Sequence, residues 1–239
     1  MAEQATVAVT GASGLVGKAL TRALERADYR VKALVRRPPT SADEVRWDPA
    51  AGSIDAEGLR GVDALVHLAG ENVAAGRWTE AQKARIRDSR VQGTTLLAET
   101  LAEMTDGPRR WISASAVGYY GNRGAEPVDE SSRPGDGFLA TVCRAWEAAT
   151  APAIDAGVRV ALARIGIVLS PAGGALAKMK LPFQLGLGGR IGDGSQFMSW
   201  ITLEDLVSAL VFLLEHPQIS GPVNCVAPAP VSNADFTEA

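Results

Sequence analysis

The sequence predicts an α/β domain built on a doubly wound parallel sheet, with a small C-terminal substrate lobe. Two observations lead there. Short apolar or β-branched runs alternate with helical segments at least four times between positions 6 and 168, the pattern of a parallel sheet covered by helices on both faces. From Ser170 to Gly194 the texture changes, as Gly and Pro become dense between scattered large apolar residues, which fits a loop-and-helix lobe laid over one end of the sheet.

Thr6–Thr10 (TVAVT) is a β-branched run that suits a buried parallel strand. Leu15–Arg26 follows with Val16, Leu20 and Leu24 four apart, one face of a helix. Arg30–Val35 reads as a second strand, and 63–68 (DALVHL) as another after glycine-containing turns. A long helix is expected over 80–101, a strand at 111–114, a helix over 138–156 and a strand over 158–168. Leu203–Glu215 returns to helical periodicity through Val207, Leu210, Val211 and Leu214. A last strand is expected at 222–226. On these signals the boundaries are 1–169 for the sheet domain and 170–239 for the lobe, with 201–226 returning to the core. Phe236 lies where a further helix begins, and a continuing C-terminal segment is expected.

Bulk properties narrow the function classes. The chain has 239 residues, 46% of them hydrophobic, enough for a sizeable core. Net charge is −3 with no dense Lys/Arg cluster, which argues against nucleic acid as a partner. The strongest apolar run, 206–214, is far too short to span a bilayer. No signal-peptide pattern precedes the first strand, so a cytoplasmic location is expected. The two cysteines and two histidines are scattered, which argues against a disulfide framework or a Cys/His metal site.

The strongest motif is Gly11-Ala-Ser-Gly14-Leu-Val-Gly17, between a predicted strand and a predicted helix. That context belongs to the dinucleotide fingerprint of a Rossmann-type domain. Gly11 permits the tight turn, Gly14 lets backbone approach a pyrophosphate, and Gly17 allows close helix–sheet packing. Gly11, Ser13, Gly14, Leu15, Val16 and Gly17 are therefore the expected phosphate cradle, backed by the helix N-terminus. An NAD site places an acid about twenty residues further on for the ribose hydroxyls. Here the second strand ends Ala33-Leu34-Val35-Arg36-Arg37. Guanidinium groups pair with phosphate where a carboxylate would repel it. The expected cofactor is NADP(H), with Arg36 as first contact and Arg37 as second. The alternative is an NAD(H) protein with two solvated arginines.

With these motifs in view, the chain resembles the atypical extended short-chain dehydrogenase/reductases, and within them the YfcH-type sugar-nucleotide epimerases. The marks are Gly11 to Gly17, Trp47-Asp48-Pro49, His67-Leu-Ala-Gly-Glu-Asn72, Arg77-Trp78-Thr79, Ser89-Arg90, Ser113 through Gly121, Trp146-Glu147, and Trp200-Ile201 with Asp205. The resemblance covers essentially the whole chain. It implies that Leu68, Ala69 and Gly70 line the cofactor, that Ile165, Gly166 and Ile167 lie near the nicotinamide, and that Ser115 holds the substrate oxygen. A homodimer is implied by analogy alone.

The chain departs from that family at one decisive place. The Tyr-x-x-x-Lys pair that supplies the acid/base and its cation falls on Leu139 and Cys143, and 138–147 contains neither Tyr nor Lys. Tyr119 and Tyr120 are the candidate replacements, each needing a nearby positive charge to titrate usefully, with aromatic packing as the alternative. Arg164 is a possible neighbour that no sequence signal places. Glu71 and Asn72 are candidate substrate contacts, Asn72 also a candidate helix cap. Arg77 could bind an anion or simply be solvated. Met179, Phe183 and Phe197 could line an apolar pocket or fill the core. His67 reads as a packed strand histidine, and Asp205 as structural. Two functional readings follow: an NADP(H)-dependent oxidoreductase or epimerase acting on a small carbonyl or hydroxyl substrate such as a nucleotide sugar, or a non-catalytic NADP(H)-binding sensor.

Overall fold

A computed structural model describes residues 4–186 and 188–239; Leu187, one of the apolar residues of the expected lobe, lies outside them. The chain begins β1 (Thr6–Thr10), α1 (Leu15–Arg26), β2 (Arg30–Val35), β3 (Glu44–Asp48), β4 (Ser53–Ile54), β5 (Ala64–His67), α2 (Glu80–Glu103) and β6 (Arg110–Ala116). It continues α3 (Phe138–Ala148), α4 (Ala151–Asp155), β7 (Arg159–Ile165), β8 (Ile167–Ser170), α5 (Gly174–Gln184), β9 (Phe197–Met198) and β10 (Trp200–Thr202). It ends α6 (Leu203–Glu215), β11 (Gly221–Cys225), β12 (Val231–Ser232) and α7 (Asn233–Glu238).

Eight strands form one sheet in the order β11-β7-β6-β5-β1-β2-β3-β4, parallel except where β4 turns back on β3. The chain winds outward from β1 through β2 and β3, then returns to place β5 on the other side of β1. That reversal is a topological switch point, and ligand crevices of such sheets open there, beyond the carboxyl ends of the strands. The class is the Rossmann-type fold.

Alternate residues of each strand feed two cores. Val7, Val9, Val66, Ile112 and Ala163 pack with Leu20 and Leu24 of α1 and with Leu206 and Leu210 of α6. On the other face Ala8, Leu65, Trp111 and Val160 pack with Leu97 and Leu101 of α2 and Ala153 of α4. Leu20, Leu24, Leu97, Leu206 and Leu210 are wholly buried, and each such leucine contributes about 1.5–3 kcal/mol relative to exposure.

Three features differ from the sequence expectation. β3 was not anticipated; only Val45 and Trp47 of its five residues are buried. The helix expected over 138–156 is two helices, with Pro152 in the first turn of α4, where its missing N–H costs nothing. The strand expected over 158–168 breaks at Gly166. There the Gly166 N–H still bonds to Cys225 O of the central sheet, while the Ile167 N–H bonds to Ser199 O, and β8 goes on to pair with β10. A Cβ at Gly166 would stand 2.7 Å from Ser199 O, so the crossing needs a glycine.

Candidate active site

The β1–α1 turn is shaped by its glycines. Gly11 has φ +68°, and a Cβ there would sit 3.0 Å from the Leu68 carbonyl and the Ala69 nitrogen of the neighbouring turn. A Cβ on Gly17 would lie 2.1 Å from Gly11 O, so α1 starts as close to the turn as backbone allows. Gly14 caps α1 without a side-chain partner, and the turn from Gly11 to Gly14 lines an open cleft at this helix N-terminus. That cleft holds about 920 Å³ and is lined by Gly11, Ser13, Gly14, Leu68, Ala69, Gly70 and Glu71, by Arg36 and Arg37 at its far end, and by Arg85, Asp88, Ser89 and Gln92 of α2.

Thr10 fixes the second wall. Its Oγ1 accepts from the Leu68 and Ala69 amides at 3.0 and 3.2 Å and lies 2.7 Å from Nδ1 of His67. With two amides donating to it, the hydroxyl turns its proton to Nδ1, so His67 is a neutral acceptor there. Burial, then the charge of Arg90, pushes the His67 pKa down to about 3. The turn is also held from α2. The Glu71 amide donates to Ser89 Oγ at 2.9 Å, and Arg90 Nη1 donates to Glu71 O at 3.0 Å. His67 is thus a structural post beneath the cleft.

The far end carries charge of both signs. Arg37 Nη1 donates to Glu44 Oε2 at 2.8 Å, and its Nη2 pairs with Oε1. The Arg37 hydrogen bond and the Thr40 amide hold the Glu44 carboxyl down to about 2. Arg46 donates to the Arg36 carbonyl and to Asp48 Oδ2. Arg36 itself is exposed. Glu44 and Arg46 were missed in the sequence because β3 was missed. The polar stripe Arg85, Ser89 and Gln92 could have been found, since spacings of four and three put these residues on one helix face.

A second polar cluster joins three adjacent strands. Ser115, Arg164 and Asn224 share one row across β6, β7 and β11. The Ser115 hydroxyl donates to Glu147 Oε1 of α3 at 2.6 Å, and Arg164 clasps both Glu147 oxygens at 2.9 Å. Arg164 also donates to the Tyr120 hydroxyl at 3.0 Å, which donates on to Asn224 Oδ1 at 2.7 Å. The Arg164 guanidinium lies 3.5 Å over the Tyr119 ring. Burial opposes its charge, but the bonds to Glu147 and Tyr120 prevail and raise its pKa. The neighbour that no sequence signal placed is therefore in contact with both tyrosines. Tyr120 is buried and its hydroxyl committed on both sides; Tyr119 is only half-buried. Burial and then Glu147 push the Cys143 thiol up to about 11, so it stays neutral.

The other expected residues are spread around this frame. Leu15, Val16 and Gly17 lie in α1 behind the cleft lining, Val16 packed toward the core. Ser115, Tyr119, Tyr120, Ile165, Gly166 and Ile167 lie outside that lining, along the ends of β6, β7 and β8. Asn72 is not a helix cap: its Oδ1 accepts from the Ala74 amide at 2.9 Å in an exposed turn, and α2 is capped by Thr79. Arg77 is exposed. Phe183 and Phe197 do not fill the core, being 38% and 50% exposed, and no α5 residue, Met179 included, is buried. The segment around α5 nevertheless packs against α1 and the turn after β5. A Cβ on Gly174 would meet Leu15 at 3.2 Å, and Lys178 Nζ reaches Ala74 O at 2.9 Å. Among the described residues no group of acids, cysteines and histidines is arranged to hold a metal ion, and no helix is long and apolar enough to cross a membrane.

This fold and these strand-end features define an atypical short-chain dehydrogenase/reductase. The model of the NAD-dependent epimerase/dehydratase family matches residues 7–225, and the chain belongs to that family. An epimerase family protein of Mycobacterium bovis is 52% identical over 98% of this chain and 77% of its own length. The human epimerase family protein SDR39U1, whose crystal structure contains NADPH, superposes with a TM-score of 0.86 at 36% identity, covering 98% of this chain and 78% of that one. A nucleoside-diphosphate sugar epimerase from Corynebacterium glutamicum superposes with a TM-score of 0.87 at 48% identity over 99% of this chain. The chain spans about half the length of that protein (49%).

Proposed function

We propose that the protein binds NADP(H) in the switch-point cleft and acts as an oxidoreductase or epimerase on a hydroxyl- or carbonyl-bearing substrate of the nucleotide-sugar class. The observation that carries this reading is the glycine cradle and Arg36 on one cleft. The glycines leave no room for a Cβ against the turn's own backbone, and β2 ends in a guanidinium where an NAD site carries an acid, the nearby Glu44 being engaged by Arg37. The diphosphate would rest on the α1 amides, with Leu68, Ala69 and Gly70 under the middle of the cofactor and Ile165, Gly166 and Ile167 near its nicotinamide end. When bound, the nicotinamide exchanges hydride with a substrate carbon.

The chain's own part is proton handling and orientation. Ser115 is held by Glu147, and Tyr119, stacked under Arg164, is the phenol left free to carry a proton. Glu71 lines the cleft and, with Asn72, Met179 and Phe183 outside that lining, would supply the substrate contacts. The substrate class draws support from the Corynebacterium relative and from MoeE5, which superposes with a TM-score of 0.78 at 25% identity and was solved with UDP-glucose and NAD.

The test is direct. Purified protein is titrated with NADPH, then assayed for NADPH oxidation against carbonyl compounds and for interconversion of nucleotide sugars. Turnover that disappears in Ser115→Ala supports the enzyme. A second reading, a non-catalytic NADP(H) binder, is favoured by Leu139 and by the neutral, buried Cys143 at the Tyr and Lys positions. Tight NADPH binding with no turnover on any of these substrates would select it.

A further inference from the structure

Arg36 and Arg37 line the ribose end of the cleft with Arg46 beside them, and the structure does not make the three guanidinium groups equal. Arg37 is engaged: Nη1 donates to Glu44 Oε2 at 2.8 Å and to Pro38 O at 3.0 Å, and Nη2 pairs with Glu44 Oε1. Glu44 is held from the other side as well, since the Thr40 amide and hydroxyl donate to Oε2 at 2.7 and 2.9 Å. Only 15% of its side chain remains exposed. Arg46 is spent on the Arg36 carbonyl and on Asp48. The Arg36 guanidinium has no hydrogen-bond or ion-pair partner among the described residues, and it lines the same cleft as Arg37, Glu44 and Asp48.

A bidentate guanidinium–carboxylate fork uses the donor geometry that a phosphate would need. A phosphate dianion entering here meets one unpaired cation and two cations already neutralised by acids. To reach Arg37 it would have to displace a carboxylate that makes four hydrogen bonds, while being repelled by that carboxylate. We propose that Glu44 is a specificity-determining residue: it withholds Arg37 from the ribose 2′-phosphate, leaves Arg36 as the grip, and so limits how strongly NADPH is preferred to NADH. The proposal rests on the NADP(H) reading above and adds to it a residue that opposes the preference.

The experiment titrates the intact protein with NADPH and with NADH, following nucleotide fluorescence, for wild type, Arg36→Ala, Glu44→Gln and the double variant Glu44→Gln/Arg37→Ala. Arg36→Ala is expected to lose about tenfold or more in NADPH affinity, the worth of a charge-assisted bond. Glu44→Gln frees Arg37 and removes a repelling charge, so NADPH binding should tighten about fivefold. The double variant deletes a neutral pair and should bind NADPH within about twofold of wild type. NADH affinity should be unchanged throughout, which also reports that each variant is folded. The proposal is overturned if Glu44→Gln leaves NADPH binding unchanged or weaker, or if the double variant loses as much as Arg36→Ala. Folded wild type that binds NADH but has no preference for NADPH would overturn the cofactor reading itself, a different result from either of these.

Discussion

Oε1 of Glu147 receives both the Ser115 hydroxyl, at 2.6 Å, and Nε of Arg164, at 2.9 Å. One carboxylate on α3 therefore binds the end of β6 to the end of β7. The Arg164 side chain is 3% exposed and that of Glu147 10%, so the pair is shielded from water. Breaking such a pair on one side leaves a buried charge without its partner. Glu147→Ala is expected to destabilise the protein by about 3–5 kcal/mol, whereas the double change Glu147→Leu/Arg164→Met should recover most of that loss. Urea unfolding of the three proteins checks this; equal losses in the single and double variants would rule it out.

His67 makes stability depend on pH in a stated direction. Its folded pKa, about 3, lies below the 6.5 of the free side chain, because it is buried and close to Arg90. Between those values the unfolded chain binds a proton that the folded chain refuses. Stability contributed by neutral His67 is therefore complete above about pH 6.5 and is lost as pH falls toward 3, at no more than about 1.4 kcal/mol per pH unit. The range from pH 6.5 to 5 precedes most carboxylate titration. There, His67→Asn, which retains an acceptor for the Thr10 hydroxyl, should show a flatter stability curve than wild type in denaturant melts.

The parts of this molecule written in local pattern were legible in its sequence. β1, α1 and α6 follow from β-branched runs and fourfold spacing, and the turn Gly11 to Gly17 from its glycines. The rest depends on partners distant in sequence. β3 has the charged alternation Glu44-Val45-Arg46-Trp47-Asp48, with only two apolar residues to mark it, so it was read as a motif and not as a strand. Without β3 the Arg37–Glu44 pair is hidden, and Arg37 reads as the second phosphate contact after Arg36. Ser115, Arg164 and Asn224 share a row only because β6, β7 and β11 pair in that register. Nothing local records that Glu147, 32 residues from Ser115, stands opposite it.

Glycine positions in this chain differ in what they tolerate. Gly17 has no room for a methyl group, since the added Cβ would be 2.1 Å from the backbone oxygen of Gly11, which cannot swing aside. Gly17→Ala is expected to push α1 off the turn, cost about 1–3 kcal/mol of stability, and weaken dinucleotide binding with it. Gly76 has open space around its Cβ position and no positive φ, so Gly76→Ala should stay within about 0.5 kcal/mol of wild type. Thermal melts with and without NADPH separate the two; a Gly17→Ala protein with normal melting and a normal NADPH shift would show that the turn can relax.

The adjacent tyrosines are set apart by their partners. Tyr120 is 4% exposed, and its hydroxyl lies between Arg164 and Asn224. Tyr120→Phe strands one donor and one acceptor in the interior, an expected loss of about 1–3 kcal/mol. The Tyr119 hydroxyl has no hydrogen-bond partner among the described residues, while its ring lies under the Arg164 guanidinium at 3.5 Å. Phenylalanine keeps that stacking face, so Tyr119→Phe should alter stability by less than about 0.5 kcal/mol. Its effect belongs in kcat: a phenol acting as general acid or base contributes about 10²–10⁴-fold, and NADPH affinity should not change with it. Guanidine melts paired with turnover measurements on both variants decide the assignment. A Tyr119→Phe enzyme that turns over at the wild-type rate would remove Tyr119 from the chemistry and leave the proton to a group on the substrate side of the cleft.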